Sequence, residues 1–391
     1  MWYNGNMNIL QQIFKENFHK LENENITIRS AVYENVEKMI HCGDYNYGCA
    51  VYACEHCGQI KTVPFRCKSR FCTSCGTLYS AKRATEMSLN LIDAPHRHCV
   101  FTIDANLRKF FLADRSLLNY LFSAVRSVVL RMFHKDNMSM KFTPGFICVL
   151  HTFGRDLKWN PHIHCLISEF GIADSGSFRI KTHFNYTFLR NAFQTTLLNL
   201  METHIGRPFK KIKAVCYKNH KDGFYVYAKP NKCDRNHVVK YIGRYLGRPV
   251  IASSRIDKYD GDFVTFHYNR HEDDKLVYET IHVIDFIKKL IRHIPEKHFK
   301  MVRYYGIYAR HRQSDKKIRK MLSPEKSSYY RSFNKWRYSI YFSFGYDPLK
   351  CHNCGNSMTL INIFCHGFLV PLSESFRMAL EKYHYFHIPS F

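Results

Sequence analysis

The sequence contains no apolar run approaching the roughly 18 residues that a membrane-spanning helix needs. Met1 to Phe18 lacks the basic-then-apolar pattern of a secretory leader. The expectation is a cytoplasmic protein. No Gly-rich loop of the GxxxxGK type occurs, which argues against P-loop NTPase chemistry. The fifteen Cys lack the regular framework of a small secreted domain. Several fall in short-spaced pairs, which in a reducing compartment read as metal thiolates. Acidic residues are scarce, 32 against 58 Lys and Arg, for a formal charge of +26. An excess of that size points to a polyanionic partner, most often nucleic acid. Half of it lies between Phe286 and Tyr338, where sixteen Lys and Arg meet three acids.

Apolar residues make up 46% of the chain, ample for a core, and 391 residues allow two or three domains. Aromatics are plentiful, with 26 Tyr and 31 Phe. Most belong in a core, but aromatics among basic residues also suit single-stranded nucleic acid, whose bases can stack.

Residues 1–41 show helical spacing, first in Ile9, Ile13, Phe14 and Phe18 and then in Ile28, Val32, Val36 and Ile40. The pairs Cys54/Cys57 and Cys72/Cys75 follow, fourteen residues apart, with Gly58 and Gly76 after the second Cys of each. Two such knuckles supply four thiolates for a tetrahedral, structural Zn2+. Cys67 can replace one ligand, or join Cys42 at a second metal; otherwise these two and Cys49 are ordinary buried thiols. Arg66, Lys68 and Arg70 between the knuckles suit either phosphate contact or a solvated face. Ala81 to Leu91 reads as a helix, and His98 to Ile103 as a strand flanked by His96 and His98.

A helix is expected over residues 114–134, then an apolar run from Phe146 to Phe153. The stretch Trp159-Asn160-Pro161-His162-Ile163-His164-Cys165-Leu166-Ile167 follows a short polar connection. In a strand, His162 and His164 share one face while Ile163, Cys165 and Ile167 share the other. Pro161 suits a strand start. An antiparallel hairpin brings His151 opposite the pair and completes three ligands for a divalent metal. A satisfied sheet histidine is the plainer alternative for His151.

Residues 184–203 read as a helix, and Ile212 to Val215 and Phe224 to Tyr227 as strands around a Lys-Asp-Gly turn. In Asn236 to Pro249, Tyr241 and Tyr245 lie one helical turn apart, beside a basic row of Lys240, Arg244 and Arg248. His237 is a reserve metal ligand. Strands are expected over 263–268 and 276–284. The basic segment Ile294 to Gly306, with Lys297, Lys300 and Arg303, is read as phosphate-binding. Cys351 and Cys354 form half of a second zinc site, which Cys365 and His366 can complete.

These motifs, in this order, resemble the two-tyrosine rolling-circle transposases of bacterial insertion sequences, which belong to the HUH endonucleases and are related to Helitrons. The resemblance rests on the Cys-rich stretch with Cys-Lys-Ser-Arg-Phe-Cys, on Pro-His-Arg-His-Cys-Val-Phe-Thr-Ile and on the His151 to His164 hairpin. It extends to Lys-Tyr-Ile-Gly-Arg-Tyr-Leu-Gly-Arg-Pro and to His-Ile-Pro-Glu-Lys-His-Phe-Lys-Met-Val-Arg-Tyr-Tyr-Gly. Together they span roughly residues 40–310. Asn160 stands where relatives often carry His.

The resemblance implies an α+β fold, an HUH catalytic domain with a central antiparallel sheet flanked by helices. With a boundary placed near Asp93, where Pro95 ends a helix, the expected domains are 1–93 (helical segment and zinc-binding, DNA-binding module), 94–285 (nuclease) and 286–391 (basic C-terminal DNA-binding region with a candidate second zinc knuckle). The resemblance also implies Mg2+ or Mn2+ on His162, His164 and a third ligand, and Tyr241 and Tyr245 as nucleophiles assisted by Lys240 and Arg244. The partners implied are single-stranded DNA at element ends and target, and a host helicase or replication machinery in a prokaryotic cytoplasm. A replication initiator with the same chemistry and a non-catalytic zinc-ribbon DNA-binding protein are the alternatives. An iron oxygenase ranks last, because His134/Asp136, His220/Asp222 and His271/Asp273 fall in polar, turn-like stretches.

Overall fold

A computed structural model describes residues 7–24, 27–135, 138–228, 249–270, 272–309, 328, 332–333 and 335–373. The fold is α+β, and every strand pairing among the described residues is antiparallel.

The central sheet grows from the hairpin of β4 (Thr143–Phe153) and β5 (Trp159–Ile172). β3 (His96–Phe101) adds beside β5, β7 (Val226–Ala228) beside β3, and β11 (Val302–Gly306) beside β4. β6 (Phe178–Ile180) pairs with the far end of β5. Cys99, Phe101, Cys148, Leu150, Ile163, Cys165 and Ile167 belong to one buried core. They share it with Val125, Val128 and Val129 of α5 (Leu118–His134) and with Phe193 and Leu197 of α6 (Tyr186–Ile205). Each such side chain taken fully out of water stabilises the fold by about 1.5–3 kcal/mol. Ile147, Val149 and Leu166 take the other face, against Met87 and Leu91 at the end of α3 (Thr73–Asn90). A short α4 (Arg108–Ala113) precedes α5.

A second core joins distant parts of the chain. α1 (Ile9–Asn17) and α2 (Ser30–Ile40) contribute Leu10, Ile13, Phe14, Val32 and Val36. A three-stranded sheet of β8 (Ile256–Tyr259), β9 (Phe263–Asn269) and β10 (Leu276–His282) meets them with Val264 and Phe266. The following helix, α8 (Val283–Ile291), adds Phe286, Ile287 and Leu290. The third sheet has the order β13-β12-β1-β2, from β1 (Gly48–Ala53), β2 (Ile60–Pro64), β12 (Thr359–Cys365) and β13 (Phe368–Val370). The last helix, α9 (Trp336–Phe344), lies against α3.

Several elements differ from the sequence reading. Ile212 to Val215 lies within a helix, α7 (Phe209–Asn219), which buries Phe209 and Cys216 seven residues apart on one face. The expected strand through Ile284 stops at His282, whose side chain accepts from the Ile284 N–H and caps α8. The helix expected from Ala81 starts at Thr73, and Gly76 makes an ordinary helical bond to the Cys72 carbonyl rather than a tight turn. Residues 250–294 pack with the N-terminal helices, β11 completes the central sheet, and residues 359–370 extend the β1/β2 hairpin.

Candidate functional site

The β4/β5 hairpin sets His151 directly opposite His162. With His164 two residues on, three imidazoles share the face opposite Ile163 and Cys165. Their ligating nitrogens all lie within 4.8 Å of one another. His162 Nδ1 donates to the Asn160 carbonyl at 2.7 Å, which leaves its Nε2 lone pair facing the cluster. His162 Nε2 and His164 Nε2 are 3.1 Å apart, and His164 Nδ1 is 3.0 Å from His98 Nε2. Two proton placements satisfy this chain. In one, His98 donates to His164, and His164 donates to His162. In the other, His164 Nδ1–H donates to His98, and both Nε2 lone pairs are free for a cation. The second is the metal-competent state, because a ligating imidazole uses its other N–H to hold its orientation.

Burial, and then the neighbouring imidazoles His151, His162 and His98, hold His164 well below the ordinary histidine range. Burial also lowers His162. Neutral imidazoles are the ligating form. Three nitrogens from a rigid sheet, on buried His151 and His164 and half-buried His162, suit a divalent ion with coordination positions left over. His98 is the residue the sequence reading missed. It belongs to a second His-x-His on the adjacent strand, and its ring stacks on His164 with centroids 5.2 Å apart. The hairpin loop is held from outside by His293, whose Nε2 donates to the Leu157 carbonyl at 3.0 Å and whose Nδ1 accepts from Thr152 Oγ1 at 3.1 Å. Burial pushes His293 down to about 3.

Tyr241, Tyr245, Lys240, Arg244, Arg248 and His237 lie outside the described residues. The ends of their segment are described. Ala228 stands opposite Cys99, next to His98 on β3. Val250 and Ile251 are buried in the second core, and Ser253 Oγ donates to Thr73 Oγ1 at 3.0 Å. A second tyrosine pair four residues apart, Tyr304 and Tyr308, is described. Tyr304 sits on β11, and Tyr308 is buried with its hydroxyl 2.5 Å from His96 Nε2. Burial raises the Tyr308 phenol far above its ordinary value, which is the wrong direction for a nucleophile.

The thiols fall into two clusters, and the division differs from the expected one. Cys42, Cys67, Cys72 and Cys75 converge, with Cys42 and Cys75 Sγ 3.4 Å apart. Cys72 is the N-cap of α3 and Cys75 lies in its first turn, so the helix dipole favours their thiolates. The Cys67 and Ser69 N–H groups donate to Cys42 and Cys67 Sγ. Gln11 Nε2 donates to the Met39 and Cys42 carbonyls, each at 3.0 Å, and fixes the end of α2 that carries Cys42. Four thiolates would leave no open position on a metal, a donor set that suits a structural zinc ion. Cys54 and Cys57, expected to pair with Cys72 and Cys75, instead meet Cys351 and Cys354. The expected completion of Cys351/Cys354 by Cys365 and His366 fails, because Cys365 pairs with Gly48 at the opposite end of β12. The Cys354 backbone N–H is the chief cause that lowers Cys351 to about 7.

The basic candidates divide too. Lys68, Lys297 and Lys300 are exposed, with Lys297 3.1 Å from Glu34. Arg303 is held inward, over the Phe122 ring at 4.0 Å and on Asn119 Oδ1 at 2.5 Å. Arg70 lies over Tyr79, 5.7 Å from its ring centre, and Arg66 packs beside Gly43. Among the described residues, no helix is long and apolar enough to cross a membrane.

Residues 145–316 match the family model described as "Putative transposase", and residues 13–103 match the "Transposase zinc-binding domain". The chain is 28% identical over 301 residues to the transposase for insertion sequence element IS801 of Pseudomonas savastanoi pv. phaseolicola, covering 72% of this chain and 71% of that one. It is 25% identical over 284 residues to "Putative transposase y4qJ" of Sinorhizobium fredii (strain NBRC 101917 / NGR234), covering 68% and 71%. No solved structure matches. The two matched segments take in the first thiol cluster, His151, His162, His164 and Tyr241/Tyr245, and by both models and both relatives the chain is similar to insertion-sequence transposases of the IS91/IS801 type with an N-terminal zinc-binding domain.

Proposed function

We propose that this transposase has the HUH fold and that it nicks and rejoins single-stranded DNA with a tyrosine nucleophile. The observation that carries the reading is the convergence of His151, His162 and His164 on adjacent strands. These three would hold Mg2+ or Mn2+, which when bound polarises a scissile phosphate. The phenol oxygen of Tyr241 or Tyr245 attacks phosphorus, forming a 5′-phosphotyrosine bond. The bond to the 3′ oxygen breaks, and that oxygen leaves as a 3′-hydroxyl once protonated. Lys240 and Arg244 lower the cost of the phenolate, whose ordinary pKa is about 10. Attack by a 3′-hydroxyl on the phosphotyrosine reverses the step and rejoins strands without ATP. Two tyrosines allow two linked cleavages, at element end and at target. Support for the tyrosine assignment comes from the segment's described end, since Ala228 pairs with Cys99, next to His98. Lys68, Lys297 and Lys300 are the exposed candidates for backbone phosphates, with Arg248 in the tyrosine segment, and a host helicase would supply single strands.

A labelled single-stranded oligonucleotide from the element terminus, incubated with Mn2+, tests this on a denaturing gel. A covalent protein–DNA adduct is expected, lost in the Tyr241→Phe/Tyr245→Phe double variant and in His162→Ala. An adduct that survives the double variant refutes the nucleophile assignment. DNA binding with no adduct on any terminal sequence favours a non-catalytic reading.

A further inference from the structure

The cluster of Cys54, Cys57, Cys351 and Cys354 needs its own account, because Cys351 and Cys354 lie outside both family matches. The two halves are built alike. Cys54 N–H donates to the Gln59 carbonyl at 2.9 Å, and Gly58 N–H donates to the Cys54 carbonyl at 2.8 Å. Cys351 N–H donates to the Asn356 carbonyl at 2.8 Å, and Gly355 N–H donates to the Cys351 carbonyl at 2.9 Å. Gly58 and Gly355 both have positive φ, +73° and +78°, the conformation that lets the chain fold back after the second Cys of each pair. The sequence thus repeats one knuckle, Cys-x2-Cys-Gly followed by Gln59 or Asn356.

The sheet brings the knuckles together. Cys54 follows the last residue of β1, and Cys351 and Cys354 precede the first residue of β12. Ala53 and Thr359 are partners in the antiparallel register. Both knuckles therefore sit at one end of the same strand pair. Thr359 Oγ1 donates to Glu55 at 3.1 Å, and Lys61 Nζ donates to the Pro348 carbonyl at 3.0 Å. Cys54 and Cys354 Sγ are 3.4 Å apart, and Cys57 and Cys351 Sγ are 3.7 Å apart. A disulfide needs about 2.05 Å. A tetrahedron with Zn–S bonds of about 2.3 Å has edges of about 3.8 Å.

We propose that Cys54, Cys57, Cys351 and Cys354 bind a second structural zinc ion, which clasps the C-terminal strands β12 and β13 onto the N-terminal zinc module. All four ligands are thiols, so the centre is closed and has no catalytic position. It joins cysteines 300 residues apart in sequence and keeps α9 against α3.

Zinc content of the full chain, purified under reducing conditions, tests the clasp. Two zinc ions per chain are expected in the wild type, one in Cys351→Ser/Cys354→Ser, and two in Cys365→Ser. One zinc in the wild type, or two in the double variant, overturns the proposal. A double variant that fails to fold leaves a test on the wild type itself: thiol alkylation read by mass spectrometry. Cys57, exposed in the fold, should resist alkylation in the zinc-loaded protein, and all four cysteines should become reactive together on chelation. Alkylation of Cys57 at the rate of a free thiol in zinc-loaded protein also overturns it.

Discussion

Replacing His98 by Phe separates orientation from bulk at the histidine cluster. His98 is 6% exposed, and its ring stacks on His164 at an interplanar angle of 17°. Phe keeps the stack and nearly the volume, and it removes the Nε2 acceptor that lies 3.0 Å from His164 Nδ1. In the metal-competent tautomer, His164 then has a buried N–H with that acceptor gone, a cost of about 1–3 kcal/mol. Its other tautomer puts the proton on Nε2 and cannot ligate. The expected loss in Mn2+ affinity is therefore about 10- to 100-fold, the range typical of partners that orient metal-bound histidines. The assay is calorimetric titration of Mn2+, with the Mn2+ dependence of adduct formation as a second readout. Melting in EDTA checks that His98→Phe is folded. His98→Gln, which restores an acceptor oxygen, should recover part of the affinity. A folded His98→Phe protein that binds Mn2+ as the wild type does would refute the positioning role.

Two further outcomes follow from buried groups. His293 is held neutral down to about 3, whereas in the unfolded chain it titrates near 6.5. Between those values the unfolded state binds the extra proton, so stability falls as pH falls through that window. The loss is about 1.4 kcal/mol per pH unit at most, or about 2 kcal/mol from pH 6.5 to 5. Denaturant titrations at both pH values should show a loss larger by that increment in the wild type than in His293→Gln, which retains the contributions of His162 and His164. Tyr308→Phe removes the hydroxyl bonded to His96. It should lower stability by about 1–3 kcal/mol in a thermal melt while leaving adduct formation intact. Loss of the adduct in a folded Tyr308→Phe protein would make Tyr308 a candidate nucleophile.

The legible parts of this chain were local. His162 and His164 share a face because strand geometry has a period of two, and His151 joins them through a loop of a few residues. The Cys knuckles could be read individually for the same reason. Their pairing could not, because any two CxxC units complete a tetrahedron, and the true partner of Cys54/Cys57 lies some 300 residues away. His98 was read as a strand flank because its partner His164 is 66 residues on. Ile212 to Val215 carries β-branched residues suited to a strand, but burial of Phe209 and Cys216 on one helical face outweighs that preference. The α+β class came with the family resemblance and the main hairpin followed from pattern, whereas the second core follows from packing between residues 10–75 and 250–294.

The pairing of β1 with β12 bears on synthesis at the ribosome. β1 emerges early, but one of its two neighbours is encoded more than 300 residues later. Until then its backbone N–H and C=O groups on that side lack their strand partner, and an exposed strand edge invites pairing with other chains. Bringing such remote segments together is also slow, since loop-closure entropy is lost before the contacts form. A product cut short before residue 351 would carry the histidine cluster and the tyrosine segment with the β13-β12-β1-β2 sheet unfinished. Translation through β13 thereby becomes a condition for a stable fold, and truncated copies would be drawn toward aggregation and proteolysis.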